Sequence, residues 1–239
     1  MTLNRAFPWL LIACIAASFA LLATLLVDVA VDGLGRVSLG FVTDYASSVA
    51  DQAGIRAALL GTLWLMVVCA AFIIPVGVAT AVYLEEYADD RRWWNRTIEV
   101  NIQNLAAVPS IVYGILGLAF LVRGPLQLGN VVLAGGLTLG VLVLPVLVIA
   151  SRVAIRADAP SIREGSMALG ATQWQTIWRQ VLAAAIPGIA TGVILALSRA
   201  IGETAPLIMV GAATFVAFHP DLNSAFTAPP IQIFELISA

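Results

Sequence analysis

Residues 130–150 read NVVLAGGLTLGVLVLPVLVIA, an apolar run with no charged side chain. A helix needs about 20 mostly apolar residues to cross the hydrocarbon core of a bilayer. This run has that length, and Ser151 and Arg152 close it. Four segments of the same kind surround it. Residues 7–27 run apolar up to Asp28, and residues 57–84 end at Glu85 and Glu86. Another span is centred on residues 105–122 and stops at Arg123 and Gly124. The last starts near Val181 and continues towards Met209, with Arg199 and Glu203 inside it. The pattern predicts an all-α integral membrane protein, a polytopic helical bundle of five spans. The first run is longer than the 7–15 residues of a cleaved signal core, so despite Arg5 it reads as an anchor.

Composition agrees. Of 239 residues, 61% are hydrophobic and 11% charged, against roughly 25% charged in a soluble domain. Mean hydropathy is +0.98. A water-soluble globular domain, a disordered chain and a coiled coil are excluded. The net charge of −2 leaves no basic footprint for nucleic acid. All twelve basic residues are arginine, which removes Schiff-base chemistry and the lysine of a Walker A loop. One His and two Cys argue against a zinc site, and no metal or cofactor is expected. Cys14 and Cys69 lie within spans and read as small packing residues rather than a disulfide. His219 reads as a loop residue.

Orientation follows from arginines in the connections. With the N-terminus inside, the inner set is Arg5, Arg91, Arg92, Arg96, Arg152, Arg156, Arg163 and Arg179. The outer set is Arg36, Arg56 and Arg123. Eight against three places the N-terminus in the cytoplasm. Glu85, Glu86, Asp89, Asp90 and the following arginines read as a solvated loop anchored by Trp93 and Trp94. Asn101, Gln103 and Asn104, at the mouth of the third span, read first as caps of the helix end and otherwise as lining of the inner vestibule. The organisation is then residues 1–56, an N-terminal span with an external loop, and residues 57–239, a transmembrane domain.

The inner loop carries the first candidate site. Pro160-Ser161 is a good helix start, and Ser161 and Glu164 have capping-box spacing. Ile162, Ser166 and Leu169 fall near one face, and Gly170 can supply a positive-φ stop. A second short pattern places Trp174, Ile177, Trp178 and Val181 at helical spacing. The pattern fits an amphipathic surface helix or a helix pair that hands force to a cytoplasmic partner.

The second candidate site is Arg199 with Glu203. An Arg at the centre of a span costs about 2.5–3.5 kcal/mol on insertion scales, and intramembrane ionisable groups face a bundle interior or cavity. At i, i+4 on a continuous helix the two can pair. The pair reads either as a structural ion pair or as part of a substrate path. An arginine fork suits an oxyanion. Pro75, Pro109 and Pro187, with nearby glycines, are kink candidates, and Pro109 also a hinge candidate. Gly136 and Gly140, and Gly188 and Gly192, form G-x-x-x-G pairs suited to close helix contact.

These motifs also carry a resemblance. Glu164-Gly165-Ser166, three residues, then Gly170 is similar to the E-A-A-x-x-x-G loop of bacterial ABC importer permeases, with Gly165 and Ser166 in place of two Ala. The downstream Leu-Pro is replaced by Leu182-Ala183, and Pro187 follows. Arg199-Ala200-Ile201-Gly202-Glu203-Thr204-Ala205-Pro206-Leu207 resembles phosphate importer permeases of the PstA type. So do residues 108–118, VPSIVYGILGL, and residues 226–234, FTAPPIQIF. The sulfate and molybdate relatives carry Gly-Glu-Phe-Gly where Thr204-Ala205 stand here. The resemblance covers the chain from about Ala57 onward and implies a type I ABC importer permease fold.

It further implies a role in phosphate passage for Arg199, Glu203 and Thr204. ATPase coupling is implied for Ser161, Arg163, Glu164, Gly165, Ser166, Leu169 and Gly170. The implied partners are a PstC-type sister permease, two cytoplasmic ATPase subunits that use the ATP, and an external phosphate-binding protein. The implied place is a bacterial inner membrane. Other readings are a permease for sulfate, molybdate or tungstate, and a non-transporting scaffold or signalling subunit. Members of the family normally continue into one further span beyond the last motif. The given chain stops at Ala239, so it is expected to lack that final helix as it stands.

Overall fold

The computed structural model describes residues 3–47, 53–89, 91–157, 160–213 and 216–238. Asp90 of the acidic loop and Ala159 at the head of the inner loop lie outside the described residues. The chain forms two compact units, Met1–Arg56 and Ala57–Ala239.

In the first unit α1 covers Leu3–Gly33 and α2 covers Leu39–Thr43. The apolar residues of α1 surround it on all sides, and none of its spanning stretch is buried within the protein. A helix with no polar stripe is one that lipid or a neighbouring helix can cover from any side. The hydroxyl of Ser38 accepts from the Phe41 amide and caps α2.

The second unit is a bundle around α6, Val132–Arg156. α3 covers Arg56–Val82 and continues as a π-helical turn, Tyr83–Tyr87. α4 covers Trp93–Leu105, and α5 covers Ser110–Gly117 with a π-turn over Leu118–Val122. α7 covers Pro160–Ala168. α8, Gln173–Thr176, passes through a π-turn, Ile177–Val181, into α9, Leu182–Ile201. α10, Ala205–Val210, and α11, Pro229–Ser238, complete the order. Leu65, Ile73, Leu139, Val143, Leu147 and Phe226 form the heart of the core. The amides of Val132 and Leu133 at the start of α6 donate to the Ser224 and Leu222 carbonyls, so this helix end is not left unpaired.

Among the described residues four helices are long and apolar enough to cross a membrane, or five spans if the bent pair α4 and α5 is counted as one. The expected continuous third span is instead broken. α4 and α5 meet at a bend of 105°. Pro109 has no amide to donate and biases Val108 before it away from the helical region, so α4 ends at Leu105 and α5 begins at Ser110. The acidic and tryptophan-anchored loop therefore ends in a helix. Asn101, Gln103 and Asn104 lie inside α4 and do not cap α5, whose N-cap residue is Pro109.

The last long span is also broken. α9 stops at Ile201, and α10 begins at Ala205. Pro187 sits within an unbroken stretch of α9, and Pro75 within α3. Pro206, at the start of α10, has no amide to continue the helix past Gly202, the C-cap of α9.

The G-x-x-x-G readings hold as packing contacts. A Cβ built on Gly188 would lie 2.5 Å from the Ala154 Cβ, and one on Gly192 2.8 Å from the Ala150 Cβ. Only glycine allows α9 this close to α6. The corresponding distances are 2.7 Å for Gly136 to the Val68 Cβ and 2.7 Å for Gly140 to the Phe72 Cδ1.

Candidate functional site

The register of α6 against α9 fixes the depth of Arg199. Gly188 faces Ala154 and Gly192 faces Ala150. Continued at the same step, this antiparallel register brings Arg199 level with Val143, next to the middle of α6. A cation at that depth is costly unless it serves a polar interior. Its position in the last turn of α9 is favourable, because the helix end carries partial negative charge.

Glu203 lies beyond the end of α9, not on its face as the i, i+4 reading expects. The two side chains still meet across the turn, with Arg199 Nε 3.4 Å from Glu203 Oε1. That length is long for a charge-assisted bond. The Arg199 side chain is 43% exposed and that of Glu203 17%, so the pair is not a sealed structural one. Thr204 holds the N-cap position of α10 without a side-chain cap, while its carbonyl accepts from the Leu207 and Ile208 amides. Gly202 is exposed and Thr204 half-buried. Irregular backbone at membrane depth persists only when buried in protein or lining a wet cavity.

α5 braces this break. A Cβ on Gly114 would sit 2.7 Å from the Pro206 Cα, so α5 and α10 touch backbone to backbone. The buried Tyr113 hydroxyl donates to the Leu105 carbonyl at 2.7 Å and ties α5 across the bend to α4. Pro109, the N-cap residue of α5, lies at the corner that this bond spans.

The docking-loop residues form a second, separate group. α7 begins at Pro160 as expected, but Ser161 is its second residue and not its N-cap. The capping box is found instead at Thr172 and Gln175, before α8. Gly170 takes φ +89° and ends α7, with the Ala171 amide returning to the Ser166 carbonyl. Ser161, Ile162, Glu164, Gly165 and Met167 are exposed on α7, and Leu169 after it is 92% exposed. The other face is fastened. Ser166 Oγ and Thr176 Oγ1 stand 2.9 Å apart. Ile177 and Val181 are buried, whereas Trp174 and Trp178 stay exposed and stack edge to face at 5.5 Å. This splits a face that sequence spacing treats as one.

A set of ion pairs beneath α7 is absent from the sequence reading. Glu85 and Glu86 are not solvated. Each carboxylate is only 9% exposed. Glu85 accepts from Arg152 Nε at 2.6 Å and from Arg156 Nη2 at 2.9 Å. Arg152 also meets Glu99 of α4 at 2.9 Å. Glu86 accepts from Arg163 Nε at 3.1 Å and Nη2 at 2.8 Å. Arg163 Nη2 further donates to the Ile155 carbonyl at 3.0 Å, and Gln173 Nε2 donates to the Glu86 carbonyl at 2.9 Å. Consecutive side chains on a helix diverge, so Glu85 holds α6 while Glu86 holds α7. The signal in the sequence was an acidic pair closing one span and arginines closing another. The partners lie 67 and 77 residues apart.

Broken helices beside a mid-depth arginine, together with an exposed helical hairpin tied to the bundle, define a multi-pass membrane transport component. Residues 73–232 match the family described as "Binding-protein-dependent transport system inner membrane component", and the chain belongs to that family. It is 32% identical over 223 residues to "Probable ABC transporter permease protein YqgI" of Bacillus subtilis, covering 93% of this chain and 75% of that protein. It is 38% identical over 175 residues to "Phosphate transport system permease protein PstA 1" of Mycobacterium tuberculosis, covering 72% and 57%. A "Phosphate transport system permease protein PstC" of Haemophilus influenzae is 28% identical over 222 residues, covering 80% and 69%. The chain thus spans less than two thirds of several relatives it matches. Within the family its likeness is to permeases of the PstA type.

Proposed function

We propose that this chain is the transmembrane permease subunit of an ATP-driven phosphate importer. Arg199, Glu203 and Thr204 form part of the path for inorganic phosphate. The observation that carries the reading is Arg199, level with the middle of α6 and open beside a break in the backbone. A guanidinium can offer a planar fork to an oxyanion. The weak 3.4 Å contact with Glu203 leaves it available and moderates its attraction. A transport site must bind weakly enough to release its ion. Relatives named as PstA and PstC phosphate permeases support the substrate.

ATP is hydrolysed on two cytoplasmic ATPase subunits, and this chain needs no cofactor or metal. α7 docks on an ATPase subunit through Ser161, Glu164, Gly165, Leu169 and Gly170, while Arg163 and Ser166 hold α7 to the bundle. A PstC-type sister permease and an external phosphate-binding protein complete the assembly. The chain lies in the bacterial inner membrane with its N-terminus in the cytoplasm, a reading supported by the arginine count.

The test is Arg199→Ala and Glu203→Ala in cells without other phosphate uptake. Arg199→Ala abolishes uptake at unchanged protein level. Unchanged uptake would remove the path role from this pair.

A further inference from the structure

We propose that Arg163 and Glu86 are positioning residues that lock α7 to the ends of α3 and α6, so that the docking helix and the bundle move as one lever. The inference rests on the reading of α7 as the docking helix. It assigns Arg163 an inward role, since its guanidinium faces the bundle and not the exposed side of α7.

Three observations converge on this pair. The Arg163 side chain is 21% exposed, although its helix is otherwise largely open. Its guanidinium reaches two different segments at once, the Glu86 carboxylate at 2.8 Å and the Ile155 carbonyl at 3.0 Å. Glu86 in turn takes α7 with its side chain and α8 with its main-chain carbonyl, through Gln173 at 2.9 Å. Both helices of the α7–α8 hairpin are therefore tied to one residue at the end of α3.

The neighbouring contacts make the attachment stiff. Glu86 stands in a π-helical turn, and next to it Glu85 grips α6 through Arg152 and Arg156. A push on α7 reaches α3 and α6 directly through these side-chain contacts. A buried, paired carboxylate gives little net stability against an apolar alternative. Its fixed geometry is what a lever needs. Arginine suits this place better than lysine, because its planar fork offers fixed donors to a carboxylate and a carbonyl at once.

The test uses the assembled transporter in proteoliposomes, with inorganic phosphate as probe. The readout is phosphate transported per ATP hydrolysed. Glu86→Gln and Arg163→Gln each lower that ratio at least five-fold while the ATPase subunits stay bound. Arg163→Lys gives an intermediate ratio. In a background with Cys14→Ser and Cys69→Ala, the pair Glu86→Cys and Arg163→Cys has the same low ratio. Bridging the two thiols with a short reducible linker restores it, and reductant abolishes it again in the same folded protein. A purely structural role predicts no such reversible change. An unchanged ratio in Glu86→Gln, or transport stopped by the bridge, overturns the lever. Leu169→Glu separates the underlying reading. If ATPase subunits remain bound to that variant, docking through α7 fails and the lever with it. If they are released and the ratio in Glu86→Gln is unchanged, the lever alone fails.

Discussion

Gly188→Ala is the sharpest test of how α9 is held. The new methyl would sit 2.5 Å from the Ala154 Cβ, whereas carbon atoms in contact prefer about 3.5–4.0 Å. The two helices must part by roughly 1 Å at this point. Overpacking of this kind costs about 1–3 kcal/mol. Alanine in place of glycine returns up to about 1 kcal/mol of helix propensity. The net loss is then about 1–2 kcal/mol, taking the clash near the upper end because it meets a Cβ rather than a flexible tip. Ala154→Gly removes the opposing atom. In the double variant the helix terms cancel and the clash is gone, so stability returns to within about 0.5 kcal/mol of the parent. The assay is reversible unfolding in mixed micelles, followed by the helical circular dichroism signal. The reasoning is refuted if Gly188→Ala is as stable as the parent, or if Ala154→Gly brings no recovery. The same helix carries Arg199 about 16 Å further along, so under the proposed function Gly188→Ala should also lower phosphate uptake.

Two other expectations follow from single contacts. Glu85→Gln leaves Arg152, 13% exposed, with Glu99 as its remaining carboxylate. Breaking a buried pair costs about 3–5 kcal/mol, and the surviving partner reduces the expected loss to about 2 kcal/mol in the same unfolding assay. Gly170→Ala forces a side chain into φ +89°, at about 1–2 kcal/mol. Hydrogen exchange should show faster exchange of the Ala171 amide, with the amides of α6 unchanged.

What the sequence made legible was set by local pattern. The run over residues 130–150 called for a membrane-spanning helix, and α6 covers it from Val132. Pro160 and Gly170 marked the two ends of α7 by backbone geometry alone. The breaks were harder. Gly202 and Pro206 are breakers, but the apolar residues on both sides continue a spanning pattern across them. Composition reports solubility in lipid and does not report whether the backbone stays helical. The α4–α5 corner failed for the opposite reason, because the polar Asn101, Gln103 and Asn104 hide a helix that ends at Leu105. Glu85 and Glu86 looked solvated because charge near the end of a span normally meets water. Their burial depends on arginines brought in by α6 and α7, and periodicity within one segment carries no information about that.

The proposed role is that of a phosphate permease within an ATP-driven assembly. The most direct measurement is uptake of labelled phosphate by proteoliposomes holding the chain with its sister permease and ATPase subunits, supplied with the binding protein. The account predicts uptake that requires ATP, is blocked by unlabelled phosphate and ignores sulfate, molybdate and tungstate. Uptake blocked by molybdate and indifferent to phosphate, or no ATP-dependent uptake from an intact assembly, would contradict it.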